Sequence, residues 1–417
     1  MQNRLNSQQV TVKTRPSPKF LAGTTFGCLF TLFAFNSIVN ATLPEGLPDY
    51  RDMTNALISK LPGMLKAKDA PDVLLLGASG IVIPSVRCDD QFHQRPSRYD
   101  EQFMKSDIWK YAKSDYLADL LSHQLHKDVT IDNTGSGGCI MSDQYIVLKK
   151  YLDAGKRPEF VLITTGPKDF YDNLKPSIDK TPIYTELADL PIRLTDIVQG
   201  NCKIDSSVPE MSESLLRALS KFYFFREDYR GFLARKTSEL TGHPESLEKT
   251  PENLAAQKAT AGKDSAALAS AKKAEPIRYI PNTNQDIKRF RKIYLPINKT
   301  QFDQQMAYLQ KTIELAKSNG IAVQICFMPL AEEHKNILKP DAWDTYKKRV
   351  TEMAAKEDVA CLDPQEEIGF EPDDFEDSAH LNKVGGKKFF NYLTEKICSD
   401  QKVAASIAQN GVLIGQH

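Results

Sequence analysis

The chain has no excess of either charge: Lys+Arg and Asp+Glu both stand at 54, for a formal net charge of zero. Proteins that bind nucleic acid through its phosphates leave a basic footprint, so this balance argues against nucleic acid as a partner. Among the seven cysteines there is no CxxC pair, which removes the usual framework of a structural zinc site. The histidines lack carboxylates at metal-ligand spacing; His123 and His126 share one helical stretch and His334 follows Pro329, positions that suit structural roles. Glycines cluster at 135–138, but no Lys-Ser/Thr follows them, and a phosphate-cradling P-loop is thereby excluded. Aromatic residues are absent from 244–275, an Ala/Lys/Ser-rich stretch with little to bury that is expected to be mobile or disordered.

What the chain does have begins near its N-terminus. Residues 20–40 are almost wholly apolar and long enough to cross a bilayer as a helix. Arg4, Lys13, Arg15 and Lys19 precede this run, and Glu45 and Asp49 follow it. The positive-inside rule then places residues 1–19 in the cytoplasm and the rest of the chain outside the cell membrane. Val39-Asn40-Ala41 resembles a small-residue cleavage site, so a removed signal peptide is the alternative to a retained anchor. An oxidising compartment would permit disulfides, with Cys88 paired to Cys139 or either of them to Cys202. Cys326 and Cys361 sit in strand-like apolar runs and read as small buried hydrophobes.

Beyond a linker helix within 41–70, strand-like and helix-like patterns alternate. Strands are expected at 72–76, 129–133, 160–165, 322–328 and 359–362. Helices are expected near 107–126, 141–154, 302–318, 341–356 and 384–398. Each strand is a short continuous apolar run, as befits strands buried on both faces. The order predicts an α/β domain over 71–400: a three-layer αβα sandwich on a parallel, flavodoxin-like five-stranded sheet. Residues 170–300 break the pattern and read as a largely helical insertion. Its 212–240 segment is expected to form one long helix carrying Phe222, Tyr223, Phe224, Phe225, Tyr229 and Phe232, and residues 401–417 read as a frayed tail.

Reactive groups stand in four short segments. Val73-Leu74-Leu75-Leu76 leads into Gly77-Ala78-Ser79-Gly80, and Ile131-Asp132 into Asn133-Thr134-Gly135-Ser136-Gly137-Gly138. The strand at 160–165 leads into Gly166-Pro167-Lys168-Asp169, and Asp377-Ser378-Ala379-His380 lies near the C-terminus. In an open parallel sheet, ligands bind beyond the carboxyl ends of the strands, so one fold can gather these pieces. A serine hydroxyl needs a base to become a nucleophile, and His380 suits that role near neutral pH. Asp377 would fix the tautomer of His380, and the backbone N–H groups of Ser79 and Gly138 would face the oxyanion. His93, with Arg87, Arg95 and Arg98, forms a cationic cluster downstream of Ser79. It suits an anionic sugar beside the site, with a solvated loop as the alternative.

Together these segments resemble the SGNH hydrolase superfamily, the GDSL-type esterases and acyltransferases. Gly77-Ala78-Ser79 is similar to the nucleophile block, with Ala78 where the family has Asp. Gly138 matches the oxyanion glycine, and Asp377-x-x-His380 the last block. Lys168 stands where the family has its oxyanion asparagine; it would act by charge, without the planar amide. An N-terminal anchor before such a domain resembles the extracytoplasmic proteins of alginate O-acetylation and teichoic-acid D-alanylation, which work beside membrane-bound O-acyltransferases. The resemblance implies serine-dependent transfer or hydrolysis of O-acyl groups, acetyl above all, on a cell-envelope polysaccharide, with neither metal nor organic cofactor. The rival reading is a carbohydrate-binding or scaffold protein that keeps the fold without the chemistry, as Ala78 and Lys168 suggest.

Overall fold

A computed structural model of the chain describes residues 56–95, 108–175, 177–201, 284–338 and 340–409, and beyond these only Thr31, Ala34 and Ser212. The apolar run at 20–40, the aromatic helix expected at 212–240, the stretch 244–275, Arg98, Cys28 and Cys202 lie outside them, save for those isolated positions. Among the described residues, no helix is long and apolar enough to cross a membrane. By its contacts the chain divides into two units, Met1–Asp52 with Met211–Leu247, and Met53–Glu210 with Glu248–His417. The sheet and the candidate site belong to the second.

That unit begins with helix α1 (Ala56–Lys66), strand β1 (Val73–Leu76) and helix α2 (Ser79–Phe92). Next come α3 (Asp115–Leu125), β2 (Ile131–Asn133), α4 (Met141–Asp153) and β3 (Phe160–Thr165). The insertion contributes α5 (Pro182–Leu187), α6 (Leu190–Val198) and α7 (Asn284–Tyr294), followed by α8 (Lys299–Ser318) and β4 (Ala322–Phe327). Then α9 (Glu332–Lys335), α10 (Pro340–Lys356), β5 (Ala360–Leu362) and α11 (Pro364–Glu367) lead to a hairpin of β6 (Phe375–Asp377) and β7 (His380–Leu381). Helices α12 (Lys383–Ser399) and α13 (Gln401–Gln409) complete it.

Strands β1 to β5 form one sheet in the order β2-β1-β3-β4-β5, and every pairing is parallel. This is the flavodoxin-like order expected from the alternation. Strand side chains point alternately to opposite faces, and the core divides accordingly. Leu74, Leu76, Val161 and Ile163 face a layer containing α1, α4, α8 and α10. Val73, Leu75, Phe160 and Leu162 face one containing α2, α3, α12 and α13. Each such side chain, fully removed from water, contributes roughly 1.5–3 kcal/mol. Residues 401–409 of the expected frayed tail are instead α13, which Val403 and Ile407, buried in the second face, hold to the sheet, while 410–417 lie outside the described residues. The stretch 107–126 is a single turn of 3-10 helix at Ile108–Lys110 followed by α3, not one continuous helix.

The free cysteines correct the disulfide expectation. Cys88 and Cys139 are both unbridged and buried, and they belong to clusters on opposite faces of the sheet. Cys326 is buried as a small hydrophobe, while Cys361 is half-buried.

Gly77 closes the gap between β1 and α2. A Cβ there would stand 2.0 Å from Thr164 Oγ1 and 3.0 Å from Ile81 Cγ2, and Thr164 is held by a 2.9 Å hydrogen bond to the Leu76 carbonyl. Thr164 cannot retreat without breaking that bond between β3 and β1. Gly77→Ala is therefore expected to cost about 1–3 kcal/mol through overpacking, read as a fall in the thermal or denaturant midpoint. An unchanged midpoint would show that the turn relaxes freely.

Candidate active site

Flavodoxin-like order reverses direction between β1 and β3, opening a crevice at their carboxyl ends. Ser79 lies there as the first residue of α2, two residues after Gly77. The N–H groups of a helix's first turn have no intrahelical partners, so this end offers donors and a favourable dipole to a developing negative charge. The β6–β7 hairpin brings in the other two groups. His380 Nε2 is 2.8 Å from Ser79 Oγ, and His380 Nδ1 is 2.8 Å from both carboxylate oxygens of Asp377. Residues 301 positions apart in sequence are thus in hydrogen-bond contact. The carboxylate selects the tautomer: Nδ1–H donates to Asp377, leaving Nε2 free to accept the proton of Ser79.

Burial alone would raise the pKa of Asp377. The charge and hydrogen bond of His380, with a 2.8 Å bond from the Ala379 N–H, outweigh it and hold the carboxyl below its ordinary range. Asp377 therefore stays ionised beside His380.

Gly138 sits in the second loop at φ +75°, a left-handed conformation that favours glycine. Two lysines hold this loop. Lys60 Nζ, buried, donates to the carbonyls of Gly135 at 2.6 Å and Tyr111 at 3.0 Å, and burial lowers its pKa to about 7. Lys175 Nζ donates to the Gly138 carbonyl. Within the loop, Asn133 accepts from the Gly135 N–H and donates to Ser85 Oγ, both at 3.0 Å.

The third loop presents Lys168. Its Nζ lies 3.8 Å from where a Cβ on Gly138 would stand, and burial depresses its pKa. Among the described residues no hydrogen bond or ion pair engages this ammonium. Asp169 caps the loop through the Gly166 N–H at 3.0 Å, and burial pushes its carboxyl up to about 7. A cavity of about 460 Å³ opens over Ser79, His380, Gly138 and Lys168. Its walls include Lys175, Arg289, Phe290, Tyr294, Met328 and His334.

Three expected substrate contacts are not in this cavity. Arg87, His93 and Arg95 do not line it, because α2 carries them away from the sheet edge at about 1.5 Å per residue. Arg87 forms a two-pronged pair with Glu376 at 2.6 Å, next to Asp377, and so steadies the hairpin. His93 lies 2.7 Å from Asp115, and Arg95 3.5 Å from Asp90. Sequence reasoning missed Lys175, Arg289 and Tyr294, which lie in the aperiodic insertion and gave no signal. His334 did give one, since it follows the carboxyl end of β4.

Fold and site together define a three-layer α/β protein with a serine, a histidine and an aspartate aligned at the carboxyl edge of its sheet. Residues 105–396 match the family described as a protein of unknown function (DUF1574), and the chain belongs to that family. Among solved structures, a crystal structure of the lipase/acylhydrolase from Enterococcus faecalis is similar at 11% identity. That likeness covers 78% of this chain and 95% of the other, with a TM-score of 0.33. No curated protein matches.

Proposed function

We propose that this protein is a serine-dependent O-acyl transferase or esterase of the SGNH type. It acts outside the cytoplasm on acyl groups, acetyl above all, of a cell-envelope polysaccharide. The unbroken chain of contacts from Ser79 through His380 to Asp377 carries this reading. A scaffold that had lost its chemistry would have no need of that alignment, and Lys168 is not diverted into an ion pair with Asp377.

Ser79 Oγ attacks the acyl carbonyl carbon as His380 Nε2 takes the hydroxyl proton. The carbonyl oxygen becomes an oxyanion facing the N–H groups of Ser79 and Gly138 and the Lys168 ammonium. The tetrahedral intermediate then expels the alcohol, which leaves with the proton from His380, and the acyl group stays on Ser79. A water or an acceptor hydroxyl next gives its proton to His380 and attacks this ester, and His380 returns that proton to Ser79 Oγ as the acyl group leaves. Asp377 stabilises the imidazolium in both halves. The apolar run at 20–40 and the cations before it support an extracytoplasmic position, where a membrane-bound O-acyltransferase would be the donor partner.

Lys168 supplies the test. Full-length protein is expected to turn over an activated acetyl ester, with Lys168→Met lowering kcat by about 10²–10³ as one oxyanion contact is lost. Lys168→Asn, which restores an amide donor, is expected to recover most of it. No turnover by the native protein on either activated or polysaccharide esters would sink the proposal, and native rates in Lys168→Met would remove that residue from the oxyanion site.

A further inference from the structure

The hairpin that carries Asp377 and His380 is too small to hold its own shape. It pairs three residues with two, and its register is irregular between Phe375 and Asp377. Isolated two-stranded hairpins are marginal in water even when longer. Yet the acyl chemistry proposed above requires His380 to keep its 2.8 Å contact with Ser79 to within a fraction of an ångström. Something outside the hairpin must hold it.

The turn residue Ser378, which is buried, is gripped from one segment in two ways. The Ala331 N–H donates to the Ser378 carbonyl at 3.1 Å, and His334 Nδ1 lies 3.1 Å from Ser378 Oγ. On its other side, His334 Nε2 lies 2.6 Å from Tyr294 Oη, and its ring packs against Phe290 at 4.1 Å between centroids. Phe290 and Tyr294 are one turn apart on α7, and both line the cavity. We propose that Tyr294–His334–Ser378 is a positioning relay, which holds the Asp377–His380 turn in register with Ser79 and ties it to the cavity wall formed by α7.

The direction of the proton chain follows from burial. Tyr294 is fully buried and its hydroxyl pKa is raised well above the ordinary value, so the phenol keeps its proton and donates to His334 Nε2. His334 Nδ1–H then donates to Ser378 Oγ. Burial lowers the pKa of His334 to about 3, opposed by the charge of Asp377 and reinforced by His380 and Lys168. His334 therefore stays neutral near pH 7. It takes no proton from substrate; its role is to fix one geometry.

The inference rests on the acyl-transfer reading for its kinetics but has a readout independent of activity. Full-length protein labelled with ¹⁵N-histidine would be followed by ring-nitrogen NMR from pH 5 to 8, as native protein and as Tyr294→Phe, His334→Gln and His334→Phe. The native His334 signal is expected to be a single neutral tautomer, protonated on Nδ1, that does not titrate. In His334→Phe the His380 ring is expected to lose its single tautomer. Kinetically, His334→Phe should lower kcat about 10–100-fold with KM within about twofold, Tyr294→Phe by less, and His334→Gln should recover part of the loss. A His334 that titrates near neutral pH would overturn the relay. So would His380 signals identical in all four proteins, or variants altered in KM alone. If the native protein turned over no ester at all, the acyl-transfer reading would fall and the NMR arm would still decide the relay.

Discussion

Ser79→Ala is expected to abolish acyl turnover, with a loss in kcat of at least about a thousandfold. The Ser79 hydroxyl stands against His380 Nε2, at 2.8 Å. Removing it leaves the oxyanion donors and the cavity in place but nothing to bond to the acyl carbon. The residual rate would be that of a bound ester attacked directly by water. The substitution also separates the two readings of the chain. A binding protein would be indifferent to it, while the enzyme would keep its affinity for substrate and lose turnover. Because Ser79 is only half-buried and begins a helix whose N-cap is Ala78, losing one oxygen there should leave the midpoint of unfolding nearly unchanged.

Asp377→Asn is expected to cost turnover on the order of 10⁴, although it changes no shape. The amide can present its N–H₂ to His380 Nδ1, which stabilises the tautomer with the proton on Nε2. That proton then faces Ser79, where a lone pair is needed. The same substitution has a signature in stability. The Asp377 carboxyl is held below its ordinary value of 3.8 in the folded chain, so it contributes stability that is fully present above pH 3.8. That contribution disappears as pH falls through the lowered folded value. Denaturation of the native protein and of Asp377→Asn at pH 3 and pH 6 checks the sign: the native protein should lose more stability on acidification. Equal losses would mean that the His380 contact does not stabilise the ionised carboxyl.

The sheet was legible because its strands are buried on both faces. Val73-Leu74-Leu75-Leu76 and Phe160-Val161-Leu162-Ile163 are continuous apolar runs, a pattern that survives without any knowledge of neighbours. Helix α2 was not legible. It contains Pro84, and it buries Ser85, Asp89 and Asp90 along with its apolar residues, so it shows no polar face against an apolar one. Asp89 is satisfied at a distance, by the Tyr111 hydroxyl at 2.6 Å and the N–H groups of Asp115 and Tyr116 at 2.7 Å. Local periodicity carries no trace of such partners. The same helix explains why nearness in sequence misplaced Arg87, His93 and Arg95: a helix running from Ser79 to Phe92 leads away from the serine. In contrast, Ser79, Gly138, Lys168 and His380 could be assembled from the sequence, since the first three follow a strand and His380 carries its own Asp partner. The lysines that hold the second loop, Lys60 and Lys175, contact backbone carbonyls, which every residue has. Nothing in the sequence marks which carbonyl a lysine will reach.

The central claim is that Ser79 carries the acyl group as a covalent ester, and it is tested most directly by intact-protein mass spectrometry. Full-length protein would be mixed with an activated acetyl ester, quenched, weighed and mapped by peptide. The account predicts a single acetyl group per chain, located on Ser79 and absent from Ser79→Ala. It should be formed far more slowly by His380→Ala. An acetyl group that persists in Ser79→Ala, or native protein that turns over the ester without acquiring one, would contradict it.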